Sequence, residues 1–300
     1  MITKDAEKVA PPRPAPTAEE PPQRPGKARR AWDEVPRWQI YLPLGIYLVF
    51  TLVPFYWILL FALRKPGSTS LVPWPITFEH FEKVWNERSF GVYFQNSVLV
   101  GVVTLLMTTL VALAGGYALA RFDFKIKRGF MLALLCSQFV PGALLLVPLF
   151  QIFAELRMIN SLGSVILAET VFQLPLSIIL ISNFIKNVPY TLEEAAWVDG
   201  CNRFTAFRVI VLPLLRPGLI AVGSFAFVHS WNHFLFALMF LSNQDKQTIP
   251  VGLNTLLSAD SVDLGALAAG GIIAAVPVVI VFAFIQKWLI TGFSAGAVKG

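Results

Sequence analysis

The chain has 300 residues, 56% of them apolar and only 14% charged, with a formal net charge of +6. An average soluble domain is about 45–50% apolar and about 25% charged, so a water-soluble globule is excluded: it would lack the polar surface to cover its core. The positive charge does not point to nucleic acid either, since no basic cluster is interleaved with aromatics.

Residues 1–37 differ from the rest. Eight prolines from Pro11 to Pro36, mixed charges and few large apolar side chains cannot bury enough surface to fold, and a disordered Pro-rich cytoplasmic tail is expected. A cleavable signal peptide is not: an apolar core begins only near Trp38, no small-residue cleavage site follows, and the first helix is expected to insert uncleaved.

Residues 38–300 are expected to form the transmembrane domain. Charge-free runs cover Trp38–Leu63, Phe90–Ala120, Gly129–Ala154, Pro217–Gln244 and Leu264–Gln286, and Ile159–Ile185 is interrupted only by Glu169. Each exceeds the roughly 20 residues that cross the hydrocarbon as a helix, and lipid obliges the backbone to bond internally. The expected fold is all-α and polytopic, with six transmembrane helices at about 40–63, 94–120, 129–154, 164–185, 217–241 and 264–288. Of the 24 lysines and arginines, 18 fall in the segments on the N-terminal side of the membrane and six in the others. That bias puts both termini in the cytoplasm.

Several chemistries have no footing. Cys136 lies in the third helix and Cys201 in a cytoplasmic loop, so they form no structural disulfide. His229 and His233 lack the intervening glutamate of a metalloprotease helix, and no metal is expected. No Gly-rich loop ends in Gly-Lys-Ser/Thr and no Gly-x-Ser-x-Gly elbow occurs. This chain is expected to bind no cofactor; any ATP and Mg belong to a partner ATPase.

The loop 186–216 between helices four and five holds more structure than a connection needs. Thr191 is expected to cap a first short helix, with Glu194 completing a capping box. Glu193 and Glu194 favour the positive end of the helix dipole, and Ala195 and Ala196 leave one face small. Gly200 is placed to end the helix in a left-handed conformation. Asn202 is expected to cap a second helix, on which Phe204, Phe207 and Val211 recur at helical spacing. Pro213 then ends or kinks it before the fifth membrane helix.

Glu194-Ala195-Ala196, three residues, Gly200, nine residues, Ile210, one residue and Leu212-Pro213 resemble the full coupling-loop signature of binding-protein-dependent ABC importer permeases. The similarity extends to Asn96-Ser97 at the start of the second helix, Trp231-Asn232 in the fifth, and the segment Thr291 to Gly300. That last segment resembles the second membrane subunit of maltose-type carbohydrate importers. The resemblance implies a bacterial cytoplasmic-membrane subunit working with a second permease subunit, two ATPase subunits and an extracellular solute-binding protein. The coupling helix, about Thr191–Asp199, then sits in a groove of the ATPase, and Glu194 resembles the family glutamate that pairs with an ATPase arginine. Closing its own capping box is the other reading of Glu194.

Polar residues in membrane helices are costly against lipid, which makes them candidates for a solute pathway. Glu169, Gln173 and Ser177 follow at i, i+4 and i+8 down the fourth helix; the stripe either lines the pathway or joins helices to one another. Trp231 offers a flat apolar face and Asn232 a donor–acceptor pair suited to sugar rings, with helix packing as the other role of the tryptophan. Gln138 is a further candidate in the third helix. Rival classes are an exporter or scramblase-like subunit, an ABC permease for an amino acid or osmolyte, and an intramembrane enzyme using Glu169, His229 or His233. The enzyme reading needs titratable groups converging on one pocket, and in sequence these are scattered.

Overall fold

The computed structural model describes Pro36–Leu257 and Val262–Ala297, with side chains as far as Gln286. The expected tail thus lies outside the described residues except at its end. Among the described residues there is no strand. The main helices are α1 (Arg37–Leu63), α2 (Phe90–Arg121), α3 (Lys127–Ser137), α4 (Leu146–Glu155), α5 (Leu162–Lys186), α6 (Thr191–Val198), α7 (Arg203–Ala206), α8 (Arg216–Asn232), α9 (Leu235–Phe240), α10 (Ile249–Leu257) and α11 (Leu264–Ala297). The chain divides into two units at Val53/Pro54. In the first, every described side chain of α1 is exposed.

Four helices are long and apolar enough to cross a membrane, and two bent pairs bring the number of candidate spans to six. One pair corrects the expected third helix. Instead of running unbroken over 129–154, it stops at Ser137 and resumes at Gly142 with a bend of 94°. Pro141 has no amide hydrogen to give and drives Val140 out of the helical region. The other correction concerns the helix expected over 217–241. It ends at Asn232 because His233 is extended (φ −76°, ψ 118°), and the short α9 follows. No proline or glycine lies between Ser224 and Leu241, so nothing local marks this break.

The centre of the second unit is α2 packed along α5, with α8 against both. The contact is made possible by small side chains. Ser97, Gly101, Thr104, Thr108, Ala112 and Gly116 make a buried stripe down α2. Toward Gly116 it faces α5, whose own buried residues include Ala168, Thr170, Ser177 and Ser182, while Gly101 lies against the Phe227 ring of α8. Small residues let two backbones approach where lipid supplies no hydrophobic drive between helices. Gly116 lies against Ile181 and Ser182, and Gly218 of α8 against the Phe184 ring. At the start of α2, Asn96 donates to the carbonyls of Asp245 and Gln247, each at 2.9 Å, and Ser97 Oγ accepts from the Ile249 amide at 2.9 Å. These bonds seat the segment that leads into α10, a helix within a stretch otherwise read as plain loop.

Candidate functional site

The loop 186–216 folds as a hairpin of two short helical pieces. Its first helix starts differently from expectation. Tyr190 already has helical dihedrals (φ −64°, ψ −29°), and no side chain caps α6. The carbonyl of Pro189 takes the Leu192 amide, and that of Tyr190 takes the amides of Glu193 and Glu194. Thr191 is therefore inside the helix and the capping box is absent, which removes that role from Glu194. The expectations for Gly200 and Asn202 hold, whereas Phe204 is exposed and does not share a buried face with Val211. Gly200 has φ +89°; its amide reaches the Trp197 carbonyl at 3.1 Å and that of Cys201 the Ala196 carbonyl at 2.9 Å, a Schellman pair. Asn202 Oδ1 accepts from the Thr205 amide at 2.8 Å and caps α7.

One face of α6 is held and the other is free. Glu193 and Ala196, three apart, are its buried residues, while Glu194 and Ala195 are exposed. The Glu194 carboxylate makes no hydrogen bond or ion pair among the described residues. Glu193 is fully buried and takes bonds from Arg121 Nε at 2.6 Å and the Tyr117 hydroxyl at 2.7 Å. In the sequence Glu193 stood only as a favourable charge near the helix start; the i, i+3 spacing to Ala196 was the available sign of an inward face. After α7 the backbone widens into a π turn, Phe207–Val211, with Val211 fully buried. Ile210, Leu212 and Pro213 are half-buried beside it. The segment then turns by 73° into α8, between Pro213 and Pro217.

The pathway candidates separate into three groups. Gln173 and Ser177 are buried, and the Gln173 amide atoms and Ser177 Oγ have no hydrogen-bond partner among the described residues. The register set by Gly115 on Ile178 and Gly116 on Ser182 brings them level with Thr108 and Ala112 of α2, inside the helix pair. Trp231 is 2% exposed, stacks on Phe227 at 5.6 Å, meets Phe94 edge-on and donates its indole N–H to the Ala274 carbonyl at 2.9 Å. Those surroundings serve packing. Gln138 is exposed just after the end of α3, beside the 94° bend.

Glu169 is different. It is buried, accepts from the Ser230 hydroxyl of α8, and has His233 Nδ1 at 3.8 Å from its second oxygen. His229 lies one helical turn from His233, ring centroids 5.4 Å apart. Groups scattered along the sequence thus converge where α8 breaks. Phe225, Val228, His229, Asn232 and His233 line an open concavity of about 310 Å³ there. Phe225, His229 and Asn232 are exposed on it.

A second polar concavity, about 350 Å³, lies between the segment 66–87 and the start of α11. Asp263 accepts from Lys83 Nζ at 2.8 Å and from the Ala266 amide at 3.0 Å. Burial pushes its carboxyl up, but these two bonds and the charges of Lys83 and His80 hold it below the usual carboxylate range.

Residues 109–294 match the family described as binding-protein-dependent transport system inner membrane component. Over 276 residues the chain is 35% identical to the diacetylchitobiose uptake system permease protein DasC of Streptomyces coelicolor, covering 90% of this chain and 98% of that one. It is 35% identical to the arabinooligosaccharides transport system permease protein AraQ of Halalkalibacterium halodurans, over 79% and 85% of the two chains. To the trehalose transport system permease protein SugB of Mycobacterium tuberculosis it is 31% identical, over 84% and 93%. Its fold resembles that of a chain in the crystal structure of a bacterial ABC transporter importing the acidic polysaccharide alginate. The TM-score is 0.71 at 20% identity, covering 84% of this chain and 98% of that one.

Proposed function

The chain belongs to the binding-protein-dependent transport system inner membrane components, and on that premise we propose that it is the carbohydrate permease subunit of an ATP-driven importer in a bacterial cytoplasmic membrane. The solute class follows from relatives aligned along most of the chain, which are uptake permeases for diacetylchitobiose, arabinooligosaccharides and trehalose. Its partners are a second permease subunit, an extracellular solute-binding protein and two ATPase subunits, which bind the ATP and Mg. Both termini and the hairpin 189–213 face the cytoplasm, in keeping with the 18 to six distribution of basic residues.

The observation that carries the mechanism is the division of α6 into a locked and a free face. Glu194 and Ala195 stand exposed on a helix whose other side is anchored through Glu193 and Ala196. A stiff helix with a small, acidic outer face suits docking in an ATPase groove, where Glu194 meets an arginine in a charge-assisted bond. Gly200 supplies the left-handed turn behind it, and Ile210, Leu212 and Pro213 carry the hairpin back to α8. The pathway wall is the concavity of Phe225, His229 and Asn232, with Glu169 behind it. Polar side chains exposed on a membrane helix are costly against lipid and belong on water or a partner subunit. Asn232 and His229 offer donors and acceptors for sugar hydroxyls there, and the Phe225 ring an apolar platform. Gln173 and Ser177, buried with no hydrogen-bond partner among the described residues, stand further down the same α5 stripe as Glu169.

Glu194→Gln in the assembled complex tests the docking. Uptake in vesicles and ATP hydrolysis stimulated by the loaded binding protein are both expected to fall at least five-fold with normal membrane insertion. Thr191→Ala is the control, expected to transport normally because Thr191 caps nothing. Normal uptake by Glu194→Gln, or a larger loss in Thr191→Ala, overturns the reading.

A further inference from the structure

The hairpin is continuous in the chain with α5 and α8, yet its strongest polar bonds go to neither. The fully buried Glu193 carboxylate takes the Arg121 Nε–H at 2.6 Å on one oxygen and the Tyr117 hydroxyl at 2.7 Å on the other. Arg121, itself only 8% exposed in its side chain, sends a second N–H to the Val188 carbonyl at 2.9 Å. Its guanidinium lies 5.4 Å from the centre of the Tyr190 ring. Tyr117 meets the second half of the hairpin, edge-on to Phe207 at 4.9 Å. Two residues one turn apart at the end of α2 therefore grip the entry to the hairpin, its first helix and its return.

Beyond this grip the first helix has the half-buried Trp197, against the Tyr190 ring and the Arg203 guanidinium of the same hairpin. Of its eight residues only Glu193 and Ala196 are buried, so apolar burial contributes little to its seating. A buried carboxylate whose partners both sit on α2 cannot shift relative to α2 without being left unpaired, a strongly penalised state. The guanidinium fork adds direction, because its planar donors fix both angle and distance.

We propose that Arg121 and Glu193 form the joint that makes α2 move as one body with the docking helix, adding α2 to the two helices that chain continuity already links to it. They are positioning residues, acting through the hairpin and touching neither solute nor ATPase. α2 is the helix that packs along α5 and against α8, so a push on α6 is delivered to the centre of the bundle. This inference rests on the docking role of α6 proposed above.

The test uses the complete importer with its ATPase and binding protein. Spin labels go on the native Cys201 and on Asp123→Cys, a fully exposed site just beyond α2, in a Cys136→Ser background. With the joint intact, the distance between them is expected to be narrow and the same in nucleotide-free and ATP-bound complexes. In Glu193→Gln, and in Arg121→Lys, which keeps the charge but not the fork, the distribution should at least double in width or shift between the two states. Solute moved per ATP hydrolysed should fall at least five-fold. A narrow, invariant distance in both variants overturns the proposal. So does wild-type solute per ATP in whatever complex assembles, since a merely structural pair would lower yield and leave that ratio alone. Glu194→Gln separates the two readings: if it transports normally, the docking role itself fails. If it fails to transport while Glu193→Gln and Arg121→Lys keep the wild-type ratio, only the joint is refuted.

Discussion

Gly115 and Gly116 are neighbours in α2, yet alanine should behave in opposite ways at the two positions. A Cβ on Gly116 would stand 2.7 Å from Ile181 Cγ2, 2.9 Å from Ile181 Cβ and 3.0 Å from the Ser182 backbone nitrogen. The last two atoms are fixed to the backbone of α5 and cannot swing away, so the helices themselves must part. On Gly115 the three nearest atoms to the Cβ would all belong to the Ile178 side chain, at 3.3 Å for Cδ1 and Cγ1, and its flexible end can rotate. Both changes gain about 0.5–1 kcal/mol from the stiffer backbone of alanine in a helix. At Gly116 an overpacking cost of about 1–3 kcal/mol opposes that gain, and Gly116→Ala should be the less stable protein by about that difference. Gly115→Ala should lie between wild type and about 1 kcal/mol above it. Unfolding of the detergent-purified complex by SDS titration in mixed micelles measures both. Equal midpoints for the two variants, or a higher one for Gly116→Ala, would refute the close approach of α2 and α5 as the reason for the small-residue stripe.

Two further outcomes are expected. In intact cells, a cysteine replacing the exposed Trp74 should react with an impermeant thiol reagent, and Cys201 only after permeabilisation, in a Cys136→Ser background; the reverse pattern inverts the proposed orientation. Asp263→Ala removes the N-terminal cap of α11 and should cost about 1 kcal/mol in the same unfolding assay at neutral pH. Because the Asp263 carboxyl is held below its usual range, its contribution is full above the ordinary carboxylate pKa and is lost as pH falls through the lowered one. The midpoints of wild type and variant should therefore converge on acidification, and a gap that persists well below the carboxylate range contradicts the assignment.

Much of the candidate site was legible because its chemistry is local. A glycine that ends a helix and an asparagine that starts one act within a single turn, so Gly200 and Asn202 were placed correctly from their neighbours alone. Thr191 failed because the competing carbonyl of Tyr190, one residue earlier, took the amides of Glu193 and Glu194 that it would have served. The break after Ser137 was readable in principle from Pro141, whose missing amide stops a helix in lipid as it does in water. The break at His233 was not, since no proline or glycine marks it and the groups that meet it include Glu169 of α5, far away in the chain.

The sequence by itself determined that this is a helical membrane protein with up to six spans and a structured hairpin before the fifth. Hydrocarbon offers a backbone no hydrogen bonds, and a long apolar run has one way to satisfy its own. Which of two adjacent glutamates is buried was decided by the tertiary structure, the spacing of Glu193 to Ala196 being no more than a hint. Neighbours on a helix differ in direction by about 100°, and what turns Glu193 inward is Arg121, 72 residues earlier in the chain. The same holds for Trp231, enclosed by Phe94 and Phe227, and for Glu169 beside His233. Burial is settled by partners far away in the chain, and a local pattern carries no record of where those partners will stand.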